Sequence, residues 1–513
     1  MVTFKIDGLK LTVDCAGDFK AYNILDSMLN LEARPVGKQF FKKYDREIFF
    51  KGTTGYTFIG HLPRIIDWLQ NNKIPFQIAG LDETIPYDAV QTSMKVFPQV
   101  QGTSEISLKK IIGSWNLSIT PRDYQIDAAK KIINCGRCVS QIATRAGKTL
   151  IAYIVFRYLL EHTVAKKILM VVPSVLLMKQ AKSDFAAYGD SFRVTVLGAG
   201  SKDIPDDAQV VVATYQTMTK IVGTVGCPVF NAVLIDECHN ASNASIQRIL
   251  ESDAAKFARN TFGFTGTFPE EMTIARNQCC KYLGTIVNTI QSDELIDDGY
   301  LRPYEYTQIT VPNKVSDTDR LNIYNKVLFG AKEQLYSTNI IELQDRVSAD
   351  TTKVFNVEKL LSQVNPTHYD AIVEQISNRS GNGIVFANTI SYLKKLHVEL
   401  SKQFPGSTVL LLYGSTPAKE REEILATINR ADSTNVILVA SYKCVGTGLT
   451  FKNIDYAISA ESFKSAVVNG QALGRGLGKY DKKIPFVYYD IIDNFRTKMI
   501  IRQGYAKKKK YVK

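Results

Sequence analysis

At 513 residues and 57.3 kDa the chain is long enough for about three domains at roughly 100 to 200 residues each. Its composition (45% hydrophobic, 22% charged, 10% aromatic) supports ordinary globular cores and excludes a collagen, a disordered tail protein and a small disulfide scaffold. Sixty-three Lys and Arg against fifty Asp and Glu leave a formal charge of +13, which favours a polyanionic partner, nucleic acid or an anionic membrane. No basic segment leading into an apolar run opens the sequence, and no run of about 18 apolar residues occurs, so neither a signal peptide nor a membrane span is expected. A cytoplasmic protein is the expectation. The eight cysteines are scattered, as reduced thiols would be. Cys135 and Cys138 have CxxC spacing but no second CxxC or His pair, so they are expected to be structural.

Taken in chain order, residues 1–90 read as a small α+β module. Ile48-Phe49-Phe50 and Tyr56 to Gly60 flank a Gly-containing turn as in a hairpin, and Leu62 to Leu69 has apolar residues at helical spacing after a Pro start. Residues 91–112, with weak periodicity and a Pro, read as a linker. From 113 to 305 near-continuous apolar runs (VSQIAT, KILMVVPS, AQVVVATYQ, AVLIDE, FGFTGT) alternate with helical stretches, the pattern of a parallel sheet covered on both faces. A second series follows in 306–513: GIVFAN, TVLLLYG, NVILVAS, YAISAE, PFVYYDII. Two tandem α/β domains are expected, with a helical elaboration or a long excursion near 313–365 and a basic tail at the end.

The sharpest local signal is Ile142-Ala143-Thr144-Arg145-Ala146-Gly147-Lys148-Thr149 between an apolar run and a helical stretch. A strand, a tight turn ending Gly-Lys-Thr and a helix bind nucleotide phosphates: backbone N–H groups face the anion, Lys148 reaches the β- and γ-phosphates, and the Thr149 hydroxyl ligates magnesium. About ninety residues on, Ala232 to Ile235 end in the adjacent acids Asp236 and Glu237. At the carboxyl end of a parallel strand, Asp236 can hold magnesium through water while Glu237 orients or deprotonates an attacking water. ATP and Mg2+ are the expected ligands, and hydrolysis the expected reaction.

These residues, with Cys238 and His239, resemble the superfamily-2 helicases and translocases. The resemblance covers about 113 to 495 and implies two RecA-like domains. Arg122-Asp123-Tyr124-Gln125 is similar to the family's adenine-reading segment, which with Thr144 to Thr149 would complete the nucleotide site. Pro173-Ser174, Gly198-Ala199-Gly200 and Thr214-Tyr215-Gln216 resemble its strand-tracking motifs, and Thr265-Gly266-Thr267 the motif that, with His239, couples hydrolysis to domain movement. Further along, Phe386-Ala387-Asn388 and Tyr413-Gly414-Ser415 resemble strand-binding segments. Thr447 and Gly448 lie in a motif that touches both strand and nucleotide. Gln471 to Arg475 is similar to the last motif, which sends an arginine to the γ-phosphate. Likeness of the whole chain to a phage recombination and repair helicase implies branched or duplex DNA as partner, a nucleic-acid-binding N-terminal module and the host cell cytoplasm. The substrates would be forks, four-way junctions and displacement loops.

Three positions depart from the family pattern. Arg145 stands where Gly is usual, and Gly478 where a second arginine is usual, leaving Arg475 as the main finger. Thr450 replaces an Asp after Gly-Leu. Alternatives therefore stay open: an ATP-switched nucleic-acid-binding protein without productive unwinding, an RNA-directed helicase, and a restriction motor subunit, for which no Asp followed by Glu-x-Lys is found in the N-terminal module. The charge itself is unevenly placed. Residues 1–100 hold twelve bases and eleven acids, 101–150 eight and three, and the last eighteen residues eight and none.

Overall fold

The described residues of this computed structural model are 2–7, 10–33, 43–46, 48–51, 53–78, 103–189, 191–198, 203–269, 273–330, 337–430, 432–442, 444, 451–461 and 485–495. They fall into two compact units, Met1–Gln291 and Ser292–Lys513.

The first unit opens with β1 (Val2–Asp7), β2 (Lys10–Asp14), a helix Phe19–Leu29, β3 (Asn30–Ala33), β4 (Lys43–Arg46), β5 (Phe49–Lys51), β6 (Thr54–Phe58), a helix Leu62–Asn71 and β7 (Phe76–Ile78). The expected hairpin is β5–β6, with Phe49 opposite Tyr56. It extends a sheet of order β5-β6-β2-β1-β7, while β3 and β4 pair separately. Period-2 alternation puts Val2, Phe4, Leu11 and Val13 on the inner face, where they meet Leu25, Met28, Ile65, Ile66 and Leu69 of the two helices. The segment 91–112 is not a plain connector: its end belongs to a helix, Glu105–Gly113, whose N-cap Ser104 accepts a hydrogen bond from Ser107 N. The Ser-capped start, obscured by a long polar lead-in, is what the weak periodicity concealed.

The motor sheet follows: β8 (Arg137–Ile142), β9 (Ile168–Val172), β10 (Val194–Leu197), β11 (Val210–Thr214), β12 (Ala232–Asp236), β13 (Asn260–Thr265) and β14 (Ile286–Ile290). All its pairings are parallel, in the order β10-β11-β9-β12-β13-β8-β14. Every residue of β9, β11 and β13 is buried, which is why β9 and β11 are near-unbroken apolar runs, while β13 also buries Asn260, Thr261 and Thr265. Their carboxyl ends line one edge, where the order of connections reverses and ligands of such sheets bind.

The N-terminal module is docked on this sheet through the helix Ile274–Leu283. Buried Arg64 donates to Asn277 Oδ1 at 2.8 Å, and the Asn277 amide donates to the carbonyls of Met28 and Leu29. Phe58 meets Tyr282 edge to face at 5.4 Å. Gly60 lies so close that a Cβ there would sit 2.0 Å from Cys280 O and 2.5 Å from Lys281 O. Backbone cannot yield as a side-chain tip can. Gly60→Ala is therefore expected to cost about 1–3 kcal/mol, seen as a lower melting temperature and faster proteolysis of the module. A variant as stable as the wild type would show that the docking is loose.

The second unit carries a six-stranded parallel sheet in the order β15-β20-β19-β16-β18-β17. Its strands are β15 (Tyr304–Pro312), β16 (Gly383–Ala387), β17 (Thr408–Leu412), β18 (Val436–Ser441), β19 (Tyr456–Ser459) and β20 (Phe486–Asn494). The unit begins at Ser292, and β15 runs through the boundary expected at 305/306. The stretch 313–365 forms three helices, Asp317–Phe329, Ile340–Ser348 and Thr351–Ser362, with a small core of their own around Tyr324, Leu343 and Leu361 that also takes Ile492 and Phe495. Both sheets are those of RecA-like α/β domains, as the sequence led us to expect. No described helix is long and apolar enough to cross a membrane.

Candidate nucleotide site and strand-end motifs

The loop after β8 and the helix Lys148–His162 form the expected strand, turn and helix. Gly147 is the helix N-cap at φ +84°, and Arg145 also has a left-handed φ of +70°. Position 145 thus needs the conformation that glycine adopts freely, and arginine holds it against a cost of about 1–2 kcal/mol. The Arg145 side chain is half-buried. Gly147 is required twice over, because a Cβ there would lie 2.2 Å from Gln125 Nε2.

Gln125 holds the loop. Its Oε1 accepts from Arg122 N at 2.9 Å, capping the helix Asp123–Asn134, and its Nε2 donates to Ala146 O at 3.0 Å. Tyr124 OH donates to the same carbonyl at 3.0 Å, and Arg122 donates to that hydroxyl. Tyr124 was not singled out from sequence; its signal is only its place beside Gln125. One amide proton and one lone pair of Gln125 remain, enough for the bidentate edge of an adenine.

Lys148 Nζ lies 3.2 Å from Glu237 Oε1, so the loop after β8 and the end of β12 meet across the intervening β13. Asp236 Oδ1 accepts from Glu237 N at 3.0 Å. Burial pushes the Asp236 carboxyl up to about 6, against the opposing pull of the Lys148 charge. Glu237 has φ +49° and ψ 50°, a left-handed conformation on a non-glycine residue at a strand end, of the kind that concentrates at functional sites.

His239 continues the chain of contacts. The Thr265 hydroxyl donates to Thr267 O at 2.7 Å, so it accepts from His239 Nδ1 at 2.9 Å, and His239 Nε2 accepts from Asn240 Nδ2 at 3.2 Å. Burial keeps the imidazole below its ordinary value, hence neutral, consistent with one donor and one acceptor nitrogen. Asn240 Nδ2 also donates to the Glu237 backbone carbonyl at 3.1 Å, so the strand end that carries the acid pair and the Thr-Gly-Thr loop are joined by hydrogen bonds through His239, in which Asn240 was not foreseen.

Other expected residues sit at the carboxyl edge in quieter roles. Ser174 and Thr214 cap the helices Val175–Tyr188 and Tyr215–Ile221 through their hydroxyls, Pro173 is half-buried and Gln216 is exposed. Asn388 and Thr389, after β16, donate their backbone N–H groups to the buried Glu461 carboxylate, a residue the sequence reading passed over. Ser415 is exposed in the turn after β17. Gly200, Thr447, Gly448, Thr450, Gln471, Arg475, Gly478 and the basic tail lie outside the described residues. All eight cysteines are free, seven of them buried, and no group of three or more His, Cys, Asp or Glu among the described residues is placed to hold a metal.

Two family models match the chain. Residues 118–270 match "Type III restriction enzyme, res subunit", and residues 367–477 match "Helicase conserved C-terminal domain". With the two parallel-sheet domains and the ordered motifs, these matches support a superfamily-2 helicase, and the chain is an ATP-hydrolysing helicase. Among its relatives is the ATP-dependent DNA helicase uvsW of Enterobacteria phage T4, 25% identical over 462 residues that cover 88% of this chain and 84% of that one. A type I restriction enzyme EcoAI endonuclease subunit of Escherichia coli is 22% identical over 73% of this chain, which spans 46% of that subunit. Of solved structures, T4 UvsW aligns over 99% of this chain and 97% of its own at 20% identity and a TM-score of 0.42. The type ISP restriction-modification enzyme LlaBIII bound to DNA aligns over 76% of this chain and 30% of its own at 16% identity and a TM-score of 0.52.

Proposed function

We propose that the chain uses ATP to remodel branched DNA: forks, four-way junctions and displacement loops. The observation that supports this most is the similarity to the phage helicase, which extends over 88% of the chain and so reaches beyond the motor. In this reading the helix N-terminus and Lys148 take the β- and γ-phosphates, with Lys148 exchanging Glu237 for the nucleotide. Glu237, released, orients a water on the γ-phosphorus and accepts its proton as ADP leaves. The oxygen donors Thr149 and Asp236, one of them a half-buried carboxylate, suit magnesium, which when bound would neutralise phosphate charge. The His239–Thr265 relay carries the change at Glu237 into the Thr-Gly-Thr loop, and Arg475 supplies a further cation to the γ-phosphate.

Strand contacts by Pro173, Ser174, Gly200, Thr214, Gln216, Asn388, Ser415 and Thr447 would engage the backbone, giving sequence-tolerant binding that weakens with salt. Gln125→Ala removes the adenine-facing amide and one tie on the phosphate loop. It is expected to raise KM for ATP about tenfold and to erode preference over GTP, as measured by steady-state turnover. Unchanged discrimination would remove Gln125 from the base site. The overall reading is tested by ATP turnover on single-stranded, duplex, forked and four-way DNA and on RNA: branched DNA should stimulate most, and equal or greater stimulation by RNA would overturn the choice of DNA.

A further inference from the structure

The N-terminal sheet has one face packed on its two helices and another that presents aromatic and basic side chains outward. Along one cross-strand row stand Phe49, Tyr56, Thr12 and Lys5, each directly opposite the next. Phe49 is 59% exposed and Tyr56 52%, although ring carbon of this size is normally hidden in so small a module. Lys51 follows Phe49 by two residues, and Lys10 lies diagonal to Tyr56 through its pairing with Phe58. All three lysines are exposed. By register the acids of this face are Asp7, opposite Lys10, and Asp14, whose Oδ1 accepts from Ala16 N, against the three lysines.

We propose that this face is a stacking platform for single-stranded nucleic acid, with Phe49 and Tyr56 each taking one base and Lys5, Lys10 and Lys51 following the phosphates. The inference rests on the nucleic-acid reading above and names a surface for it. Phe49 and Tyr56 stand opposite each other on neighbouring strands, which in a sheet run about 4.8 Å apart, so adjacent bases of an extended strand can be seated on them. Each base has a π-face, so the rings bind without regard to sequence, while a duplex keeps its bases stacked on one another and offers the rings nothing. The lysines supply the complementary charge. An apolar protein partner would be met by the same three cations at the edge of its contact and gains nothing from them.

The test uses the full chain and fluorescence anisotropy with a labelled oligothymidylate and a blunt duplex of equal length. Phe49→Ala/Tyr56→Ala is expected to weaken oligothymidylate binding at least about tenfold while duplex binding changes by less than about twofold. The conservative pair Phe49→Tyr/Tyr56→Phe should bind as the wild type does. Lys10→Ala/Lys51→Ala should reduce the slope of log affinity against log salt by roughly 1.4 for the single strand. Single-strand affinity within about twofold of wild type in the alanine pair, or parallel loss for strand and duplex, would overturn the platform. DNA-stimulated ATP turnover of the wild type, read alongside, separates the two claims: its absence defeats the helicase reading on DNA, whereas its presence with unaltered strand binding defeats the platform alone.

Discussion

Lys148→Ala and Glu237→Gln should each lower ATP turnover by at least about a thousandfold, the scale on which preorganised charge acts in phosphoryl transfer. The two losses should differ in kind. Lys148 lies 3.2 Å from Glu237, so its removal takes away phosphate attraction and nucleotide affinity falls with turnover. Glutamine at 237 keeps the shape and a hydrogen-bonding oxygen but cannot accept the water's proton. It also releases Lys148 from its ion pair, so nucleotide should bind at least as tightly while the chemical step fails. Equilibrium binding of a fluorescent ATP analogue beside steady-state turnover checks both. Turnover near the wild-type rate in either variant would remove that residue from the chemistry.

The second large effect concerns stability. In the second unit His368 Nδ1 donates to Asp493 Oδ2 at 2.7 Å, its Nε2 meets Ala460 O at 3.1 Å, and Asn365 donates to the other Asp493 oxygen at 2.6 Å. His368 and Asp493 are each about 1% exposed. Burial alone would drive the proton off His368, and the Asp493 carboxylate overrides it, holding the imidazolium above its ordinary value. For Asp493, burial likewise opposes the charge, and the His368 cation and hydrogen bonds hold it below the usual carboxylate range. His368→Ala strands a buried carboxylate and is expected to cost about 3–5 kcal/mol. At about 2–4 °C per kcal/mol this is a large drop in melting temperature. His368→Leu/Asp493→Leu should cost less than His368→Ala, since no charge is left unpaired.

The pH dependence follows in sign. The raised His368 value contributes stability fully present below about 6.5, lost as pH rises through the folded value, and the lowered Asp493 value contributes stability present above about 3.9, lost as pH falls. The wild type should therefore exceed the double leucine variant by more near pH 5 than near pH 9. A margin that grows toward alkaline pH would contradict the charged pair.

How much of this was legible in the sequence depended on whether a residue's partner is near in the chain. The apolar run before Asp236 became β12 because burial on both faces demands a near-unbroken apolar strand, whereas β8, with Arg137, Ser140 and Gln141 among its six residues, was legible mainly from the Gly-Lys-Thr turn that follows it. By contrast β15 alternates half-buried and exposed residues as an edge strand, so it carried no such run and the domain boundary was drawn through it. Gly-Lys-Thr announced a phosphate loop, yet nothing local announces that Gln125 and Tyr124 share the Ala146 carbonyl. The same holds for Glu461 on the N–H groups of Asn388 and Thr389, some seventy residues away, and for Gly60 pressed on Cys280, two hundred and twenty residues away. Such contacts are set by the assembled sheet, and a single sequence shows only one side of each.

The central claim is that ATP hydrolysis moves this protein along DNA instead of only switching its grip. It is tested most directly by gel-resolved conversion of a labelled four-way junction into its component duplexes. Conversion is expected with the wild type and ATP, and not with a non-hydrolysable analogue or with Glu237→Gln. Junction binding and ATP turnover without strand movement, or equal conversion with the analogue, would contradict it.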